Sequence, residues 1–313
     1  MAVIEGLVPR SKDARPSAVT IGSYDGVHRG HRRVVQRLRR EATRDAAVAT
    51  VVTFDPHPRC VVDREGCPCM LTALDERRRL LIQAGAERVA VVRFTEEFSR
   101  VSARDFCDTL VDSLAMRTLI VGPGFALGHR RAGDVAFLRA YAETHRFHVV
   151  EVKPSTRHGG AVSSSRIRAA LREGRIAEAN AMLGWHYRLA GSVVRGEQLG
   201  TELGFPTANV ELGQSFCVPA DGVYASWLHA RGRWLPAATS IGMRPTFNGK
   251  QRVIEAHVIE DLDGDLLGEQ VRVAFLRRLR GQRRFRSRES LKIAMAQDVR
   301  RVRAMLQQAR PPE

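Results

Sequence analysis

The 313-residue sequence predicts two domains, an α/β domain over residues 1–184 and an antiparallel β domain over residues 185–313. In the first part, apolar strand-like runs alternate with helix-like segments, which is typical of a parallel sheet covered by helices. After Gly184, short strand-like runs are separated by Gly, Pro, Asp and Asn, as in a barrel or a sandwich. Residues 287–308 repeat apolar residues with a helical period and predict a terminal helix.

The elements follow from this patterning in chain order. Thr72-x-x-Asp75 and Ser102-x-x-Asp105 both resemble capping boxes, so each is expected to open a helix. The predicted strands of the first domain span residues 18–21, 47–54, 88–94, 118–122 and 148–152. Its predicted helices span residues 31–44, 72–82, 102–114, 134–145, 163–171 and 176–183. The predicted strands of the second domain include residues 222–228, 234–241, 252–259 and 270–275. Ligands of such parallel sheets bind beyond the carboxyl ends of the strands.

Composition and charge narrow the function classes. Apolar residues make up 44% of the chain and charged residues 27%, which is ordinary for a soluble globular protein. No apolar run approaches the roughly 20 residues of a membrane span, and the N-terminus lacks a secretory signal, so we expect a cytoplasmic protein without a membrane partner. The net charge of +16 permits nucleic-acid binding. However, the basic stretch 277–288 contains only Phe285 as an aromatic residue, which favours anionic small molecules over nucleic acid.

The cysteines give no clear site. Their odd number, without an export signal, argues against a disulfide framework. Cys60, Cys67 and Cys69 lie close together, but Cys67-Pro-Cys69 leaves one residue between thiols where zinc sites leave roughly two to four. We therefore expect reduced thiols.

The strongest motif of the first domain is His28-x-Gly30-His31, which follows a predicted strand and precedes a predicted helix. Backbone N–H groups at a helix start bind anions. Two imidazoles there can donate hydrogen bonds to the charge that develops on a transferred nucleotidyl group. Ser163-Ser-Ser-Arg-Ile-Arg168 places hydroxyls and guanidinium groups at another helix start, which also suits nucleotide phosphates.

These segments match a known family. Residues 24–31, 53–58 and 163–168 resemble, in order, the three motifs of the adenylyltransferase module of prokaryotic bifunctional riboflavin kinase/FAD synthetases. The resemblance implies a Rossmann-like nucleotidyltransferase domain in which the phosphate of FMN attacks the α-phosphate of ATP and releases pyrophosphate. His28 and His31 would be catalytic.

The same resemblance implies the binding residues. The expected contacts to ATP and its phosphates are Gly22, Asp25, Gly30, Ser164, Ser165 and Arg166. The expected flavin-binding residues are Asp55, His57 and Phe125. Two positions depart from the family, because Gly124 lacks a polar side chain and Leu127 lacks an aromatic ring. These departures motivate an alternative, a riboflavin kinase with an impaired or altered adenylyltransferase.

The second domain carries Leu203-Gly-Phe-Pro-Thr-Ala-Asn209. Gly204 and Pro206 impose an irregular backbone, and Thr207 and Asn209 lie on one side of an extended segment. Their oxygens are ligands of the kind that Mg²⁺ prefers. With residues 219–224, 241–247 and 255–257, this segment resembles riboflavin kinases in order and spacing.

That resemblance implies a six-stranded antiparallel barrel with a terminal helix. Gly204, Thr207 and Asn209 would bind ATP and Mg²⁺, and Glu255 would accept the proton of the ribityl 5′-hydroxyl. The departures are Thr201, Arg244 and Leu267, none of which removes an essential group. The predicted function is therefore conversion of riboflavin to FMN and of FMN to FAD with ATP. The alternatives are the kinase alone and, more remotely, a basic RNA-binding protein.

Overall fold

The computed structural model describes residue 7 and residues 15–157, 159–196, 199–213, 215–246, 249–260 and 264–312. The chain divides into two compact units, residues 1–163 and residues 164–313. The predicted helices 163–171 and 176–183 therefore group with the second unit rather than the first. The functional boundary at residue 184 stays a prediction.

The first unit is an α/β unit. Its strands are β1 (Ser17–Ile21), β2 (Val48–Asp55), β3 (Arg88–Arg93), β4 (Met116–Val121), β5 (Ala126–Leu127), β6 (Gly133–Asp134), β7 (His148–Glu151), β8 (Thr156–Arg157) and β9 (Gly160–Ala161). Its helices are α1 (Arg29–Arg44), α2 (Pro58–Val62), α3 (Leu74–Ala84), α4 (Glu96–Ser99), α5 (Ala103–Leu114) and α6 (Val135–His145), with a 3₁₀ turn at His129–Arg131.

Among the described residues, five strands pair in parallel in the order β3-β2-β1-β4-β7. Every residue of the central strand β1 is buried, and β2 is buried as far as Phe54. Continuous apolar runs are typical of parallel strands that are covered on both faces. The α/β prediction is confirmed, and the carboxyl ends of β1, β2, β3 and β4 meet at one edge.

The two predicted capping boxes have different outcomes. Ser102 caps α5, because its hydroxyl accepts a hydrogen bond from the backbone N–H of Asp105. The capping box at Thr72 is wrong, since Ala73 is the N-cap residue of α3 and makes no side-chain cap. The Thr72 hydroxyl instead donates to the carboxylate of Asp25, over 3.2 Å, so a tertiary contact replaces the local one.

The second unit is a barrel with flanking helices. Its helices are α7 (Ser164–Arg172), α8 (Ile176–Leu183), α9 (Leu199–Glu202) and α10 (Arg288–Gln307). Its strands are β10 (Arg188–Val194), β11 (Ala208–Glu211), β12 (Gly222–Ala230), β13 (Arg233–Thr246), β14 (Gly249–Val258) and β15 (Gln270–Arg280). In the described part of the chain, six antiparallel strands close the barrel in the order β10-β11-β14-β13-β12-β15. The barrel and the terminal helix confirm the predicted fold.

The apolar stripe of α10 has two uses. Val302 and Leu306 are buried in a core with Trp227, Ala238 and Ala274 of the barrel strands. Nearer the start of the helix, Leu291, Met295 and Val299 line a cavity. The predicted stripe therefore holds the helix on the barrel and also forms a cavity wall. No helix among the described residues is long and apolar enough to cross a membrane.

The expectation of reduced thiols is wrong for Cys60, Cys67, Cys69 and Cys217, which are disulfide-bonded. Cys60 and Cys67 form a disulfide, with Cα atoms 4.3 Å apart. The chain turns back after α2, where the carboxylate of Asp63 accepts a hydrogen bond from the N–H of Gly66. The turn brings Cys60 and Cys67 together, and the number of cysteines in the sequence does not predict such a turn. Cys107 is a buried free thiol, and burial raises its pKa to about 12.

Candidate active sites

The loop between β1 and α1 has an unusual backbone. Tyr24, Gly26 and Val27 have positive φ angles of 49°, 84° and 34°. A positive φ angle is costly for residues other than glycine, so contacts with surrounding residues must hold Tyr24 and Val27 in this conformation. The Tyr24 hydroxyl lies 2.7 Å from the Thr20 hydroxyl, which anchors the ring beneath the loop. Burial raises the pKa of Tyr24, so the phenol remains protonated.

Asp25 holds the loop from inside. Its carboxylate is fully buried and accepts hydrogen bonds from the backbone N–H groups of Leu71 and Thr72, each over 3.0 Å. The Thr72 hydroxyl also accepts from the N–H of Gly26, over 3.1 Å. The carboxylate thus binds the segment before α3 and shapes the loop. Contact of Asp25 with ATP stays a prediction.

His28 and His31 lie together at the start of α1. His28 is the N-cap residue, and its Nδ1 accepts a hydrogen bond from the backbone N–H of His31 over 3.3 Å. The ring proton of neutral His28 is therefore on Nε2, where it can be donated. The two rings stack with centroids 3.6 Å apart and a tilt of 17°. Two imidazoles thus stand beside the N–H groups that begin a helix, an arrangement that suits phosphates.

The environment of His31 keeps its imidazole neutral at pH 7. Burial, the neighbouring His28 and the charge of Arg77 together hold the pKa of His31 well below its usual range. The ring edge of Tyr24 closes another side, with centroids 5.0 Å apart. Gly30 permits this packing, because an added Cβ would lie 3.0 Å from Cε1 of His28. Gly22 is similarly restricted, by the Tyr24 ring.

A cavity of about 700 Å³ opens beyond the carboxyl ends of the parallel strands. One part of its wall is aromatic and comprises Phe54, Phe94, Phe98, Phe106 and Phe125. Another part is basic and comprises His57, Arg59, His129, Arg130 and Arg131. An apolar, aromatic wall beside cationic groups suits a flat aromatic ligand that carries a negative charge.

Two of the three predicted flavin-binding residues line this cavity. His57 and Phe125 line it, and His57 also caps α2, with Nδ1 accepting from the N–H of Arg59 over 3.2 Å. Asp55 does not line it but lies exposed at the end of β2, before a cis peptide bond to Pro56.

Of the positions that depart from the family, Leu127 lines the same cavity and Gly124 directly precedes its lining residue Phe125. Gly124 has φ of 63°, and its carbonyl accepts a hydrogen bond from the Arg131 guanidinium over 2.8 Å. Apart from its two chain neighbours, no described residue has an atom within 4 Å of the Cβ that a side chain at Gly124 would add. Leu127 is buried and forms part of the wall. The loop therefore keeps a defined backbone and an apolar lining without the family's side chains.

The serines and arginine of the third motif begin α7. Ser164, Ser165 and Arg166 occupy its first turn, and a guanidinium nitrogen of Arg166 lies 4.0 Å from a carboxylate oxygen of Glu178. These residues belong to the second unit. Their role at the phosphates of ATP stays a prediction.

A second cavity, of about 690 Å³, is lined by barrel strands and α10. Thr207 and Glu255 both line it. Asn209 pairs directly with Glu255 across β11 and β14, and lines a neighbouring cavity of about 290 Å³. Asn209 and Glu255 are therefore brought together on adjacent strands, and Thr207 lies directly before β11.

The segment before β11 is held in place by a histidine. Nδ1 of His257 lies 2.9 Å from the carbonyl oxygen of Pro206, to which it donates, and its ring packs edge-on against Phe205. Burial lowers the pKa of His257, although this hydrogen bond opposes the shift. Gly204 makes the turn with φ of 87°. An added Cβ at Gly200 would lie 2.5 Å from the carbonyl oxygen of Phe205, so the close approach of the two backbone segments requires glycine there.

An ion pair that the sequence did not predict borders the second cavity. The Arg280 guanidinium contacts the Asp298 carboxylate at 2.6 Å, and both side chains are nearly buried. The pair joins β15 to α10, so it fixes the helix that forms one cavity wall. The sequence carries only a weak signal for this ion pair, namely an aspartate beside the apolar stripe of α10. The departures Thr201 and Leu267 are exposed, whereas the side chain of Arg244 and all of Phe247 lie outside the described residues.

Comparison with known families assigns both halves. The family model for FAD synthetase matches residues 10–166, and that for riboflavin kinase matches residues 183–306. A bifunctional riboflavin kinase/FMN adenylyltransferase from Escherichia coli K12 is 35% identical over 95% of this chain and 96% of its own. The chain belongs to this bifunctional family. The corresponding protein of Pseudomonas fluorescens is 36% identical over 97% and 98% of the two chains.

A solved structure supports the fold of this riboflavin kinase/FMN adenylyltransferase family member over nearly its whole length. It is described as a macrolide-efflux protein from Streptococcus pneumoniae and is 27% identical in sequence. It matches with a TM-score of 0.85, over 94% of this chain and 95% of the other.

Proposed function

We propose that this chain phosphorylates riboflavin to FMN with ATP and then transfers the adenylyl group of a second ATP to FMN, giving FAD and pyrophosphate. The observation that carries the proposal is that each of the two family matches contains its own motif beside a cavity large enough for a flavin. Riboflavin, FMN and ATP are its small-molecule substrates.

For adenylyl transfer, a phosphate oxygen of FMN forms a bond to the α-phosphorus of ATP, and the bond from that phosphorus to the pyrophosphate oxygen breaks. Nε2 of His28 and the imidazole of His31 donate hydrogen bonds to the oxygens on which charge develops. Neutral imidazoles can do this because only the donated N–H is needed. The aromatic wall of the first cavity packs against the isoalloxazine ring, and the basic wall attracts the phosphate of FMN.

For phosphoryl transfer, Glu255 accepts the proton of the ribityl 5′-hydroxyl as that oxygen attacks the γ-phosphorus of ATP and ADP leaves. Thr207, directly before β11, and Asn209, within it, supply neutral oxygens, a donor set that fits Mg²⁺ bound also by phosphates and water. When bound, Mg²⁺ neutralises charge on the transferred phosphate. His257 holds the Pro206 carbonyl and so orients the segment that carries both ligands.

Neither alternative gains support. The FAD synthetase match includes the loop with Gly124 and Leu127, and that loop lines a cavity of flavin size. The RNA-binding alternative rested on net charge, and the family matches account for both halves without it. Cytoplasmic location stays a prediction.

The direct test is a chromatographic time course of purified protein with riboflavin, ATP and Mg²⁺. FMN is expected first and FAD after it. FMN that accumulates without FAD would leave only the kinase half of the proposal. The absence of both products would contradict the proposal entirely.

The packing of Gly30 against His28 gives a further prediction for adenylyl transfer. We expect Gly30→Ala to lower the rate of FAD formation from supplied FMN by about 10- to 100-fold, because catalytic groups displaced by roughly 1 Å lose that much. Riboflavin phosphorylation should be unchanged. Gly122→Ala is the matched control, since its Cβ would lie 3.8 Å from Val34, an ordinary contact. Equal FAD rates in the two variants would show that Gly30 does not position His28.

A further inference from the structure

Thr72 joins two segments that are far apart in the sequence. It lies just before α3 with 3% of its surface exposed, and its hydroxyl accepts a hydrogen bond from the N–H of Gly26 over 3.1 Å. The same hydroxyl donates to the carboxylate of Asp25 over 3.2 Å. A hydroxyl has one proton to donate and lone pairs with which to accept. Thr72 therefore uses both capacities on the loop between β1 and α1.

The loop depends on contacts from other segments at this point. Val27 follows Gly26 with a φ angle of 34°, and its side chain is completely buried. A positive φ angle in a β-branched residue persists only where neighbouring groups hold it. Within the loop, the N–H of Val27 donates to the carbonyl oxygen of Tyr24 over 3.0 Å. The hydroxyl of Thr72 adds a contact from another segment to the residue that directly precedes Val27.

His28 is the next residue after Val27. It caps α1 and is 5% exposed, and its Nε2 proton is available for donation because Nδ1 accepts the N–H of His31 over 3.3 Å. An error of about 1 Å in the placement of a catalytic group can lower a rate about 100-fold. A change in the backbone at Gly26 reaches the His28 imidazole through one residue, which already has an unfavourable φ angle.

We propose that Thr72 is a positioning residue for adenylyl transfer, because its hydroxyl fixes the backbone of Gly26 and with it the place of the His28 imidazole. Thr72 is not among the described residues that line the first cavity. Its loss should therefore affect kcat much more than the KM for FMN. This inference rests on the proposed role of His28 in the transfer.

Two substitutions of Thr72 separate the hydroxyl from the rest of the side chain. Thr72→Val keeps the shape and removes the hydroxyl, whereas Thr72→Ser keeps the hydroxyl and removes the methyl group. The fold should survive Thr72→Val, since the backbone N–H groups of residues 71 and 72 remain on the Asp25 carboxylate. Thr109→Val is the matched control. Thr109 is a buried threonine of the same unit, and its hydroxyl donates to the carbonyl oxygen of Asp105 in its own helix over 2.8 Å.

The first readout is the initial rate of FAD formation from supplied FMN in the full-length protein. We expect Thr72→Val to lower kcat by about 10- to 100-fold with little change in the KM for FMN. Thr72→Ser and Thr109→Val should stay near the wild type, and riboflavin phosphorylation should be unchanged in all three. Equal kcat values in Thr72→Val and the wild type would overturn the proposal, as would an equal fall in Thr72→Ser or Thr109→Val.

The second readout needs no substrate, so it reports on Thr72 even if the proposed activity is absent. In a long-range ¹H–¹⁵N correlation spectrum of histidine side chains, the His28 signal is identified by its loss in His28→Asn. The wild type, Thr72→Ser and Thr109→Val should show His28 with a proton on Nε2 and none on Nδ1. In Thr72→Val the signal should shift and the tautomers should mix, and an unchanged signal there would overturn the proposal. If Thr72→Val does not fold, Thr72→Ala takes its place in both readouts, because it differs from Thr72→Ser only by the hydroxyl.

Discussion

Replacing His28 by asparagine is expected to lower the rate of FAD formation from FMN and ATP by about 10²- to 10³-fold, the usual loss when one donor to a developing charge is removed. Asparagine is a good N-cap residue, so its side-chain oxygen can still accept the N–H of His31 and α1 should remain intact. The substitution removes the Nε2 proton and the imidazole ring that stacks on His31. The measurement is the initial rate with supplied FMN, together with the rate of riboflavin phosphorylation.

The second unit serves as an internal control in this experiment. Riboflavin phosphorylation by His28→Asn should equal that of the wild type, because its residues lie in the other unit. His148→Asn replaces an exposed histidine of β7 and should leave both rates unchanged. An undiminished FAD rate in His28→Asn would remove His28 from the catalytic assignment.

The opposite pattern is expected for Glu255→Gln. Glutamine keeps the size and one hydrogen-bonding oxygen but cannot accept a proton, so riboflavin phosphorylation should fall by about 10²- to 10⁴-fold, the usual contribution of a general base. The fall should be in kcat with little change in KM for riboflavin, since the shape of the cavity is preserved. FAD formation from supplied FMN should be unaffected. Initial rates of both reactions, measured on one preparation, check this.

Glu260→Gln is the matched control for this variant. Glu260 lies just beyond β14 and is exposed, so its substitution should change neither reaction. A Glu255→Gln protein with full kinase activity would refute the role of Glu255 as the base. Together, His28→Asn and Glu255→Gln should each remove one reaction and spare the other. No general loss of folding produces that pair of results.

Much of the fold could be predicted because the decisive signals are local. The predicted strand 18–21 corresponds to β1 and the predicted helix 31–44 to α1, with bounds that differ by one or two residues. Alternation of strand and helix indicated a parallel sheet, and short runs between turn residues indicated a barrel. Short segments were harder to predict. β10, β11 and α2 had no predicted counterparts, because such short elements contain too few residues to show a hydrophobic period.

The catalytic motifs could also be found, because their residues are close in sequence. His28 and His31 lie at the first turn of a helix, and Thr207 lies two residues before Asn209 at the start of a strand. The pairing of Asn209 with Glu255 joins segments far apart in the chain. The roles of the two residues followed from the family resemblance, whereas their pairing followed from no local pattern in the sequence.

Sequence alone thus determined the order of the two folds, their principal elements and the motifs that bear the chemistry, since these depend on periodicity and on neighbouring residues. Tertiary structure alone decided which charged groups are buried. Among three successive arginines of α3, only packing buries Arg77 and leaves Arg78 in solvent. It likewise turned Asp25 inward, joined Cys60 to Cys67, and paired Arg280 with Asp298. The physical reason is that burial and pairing of a charge depend on groups brought together by the fold, often from distant segments.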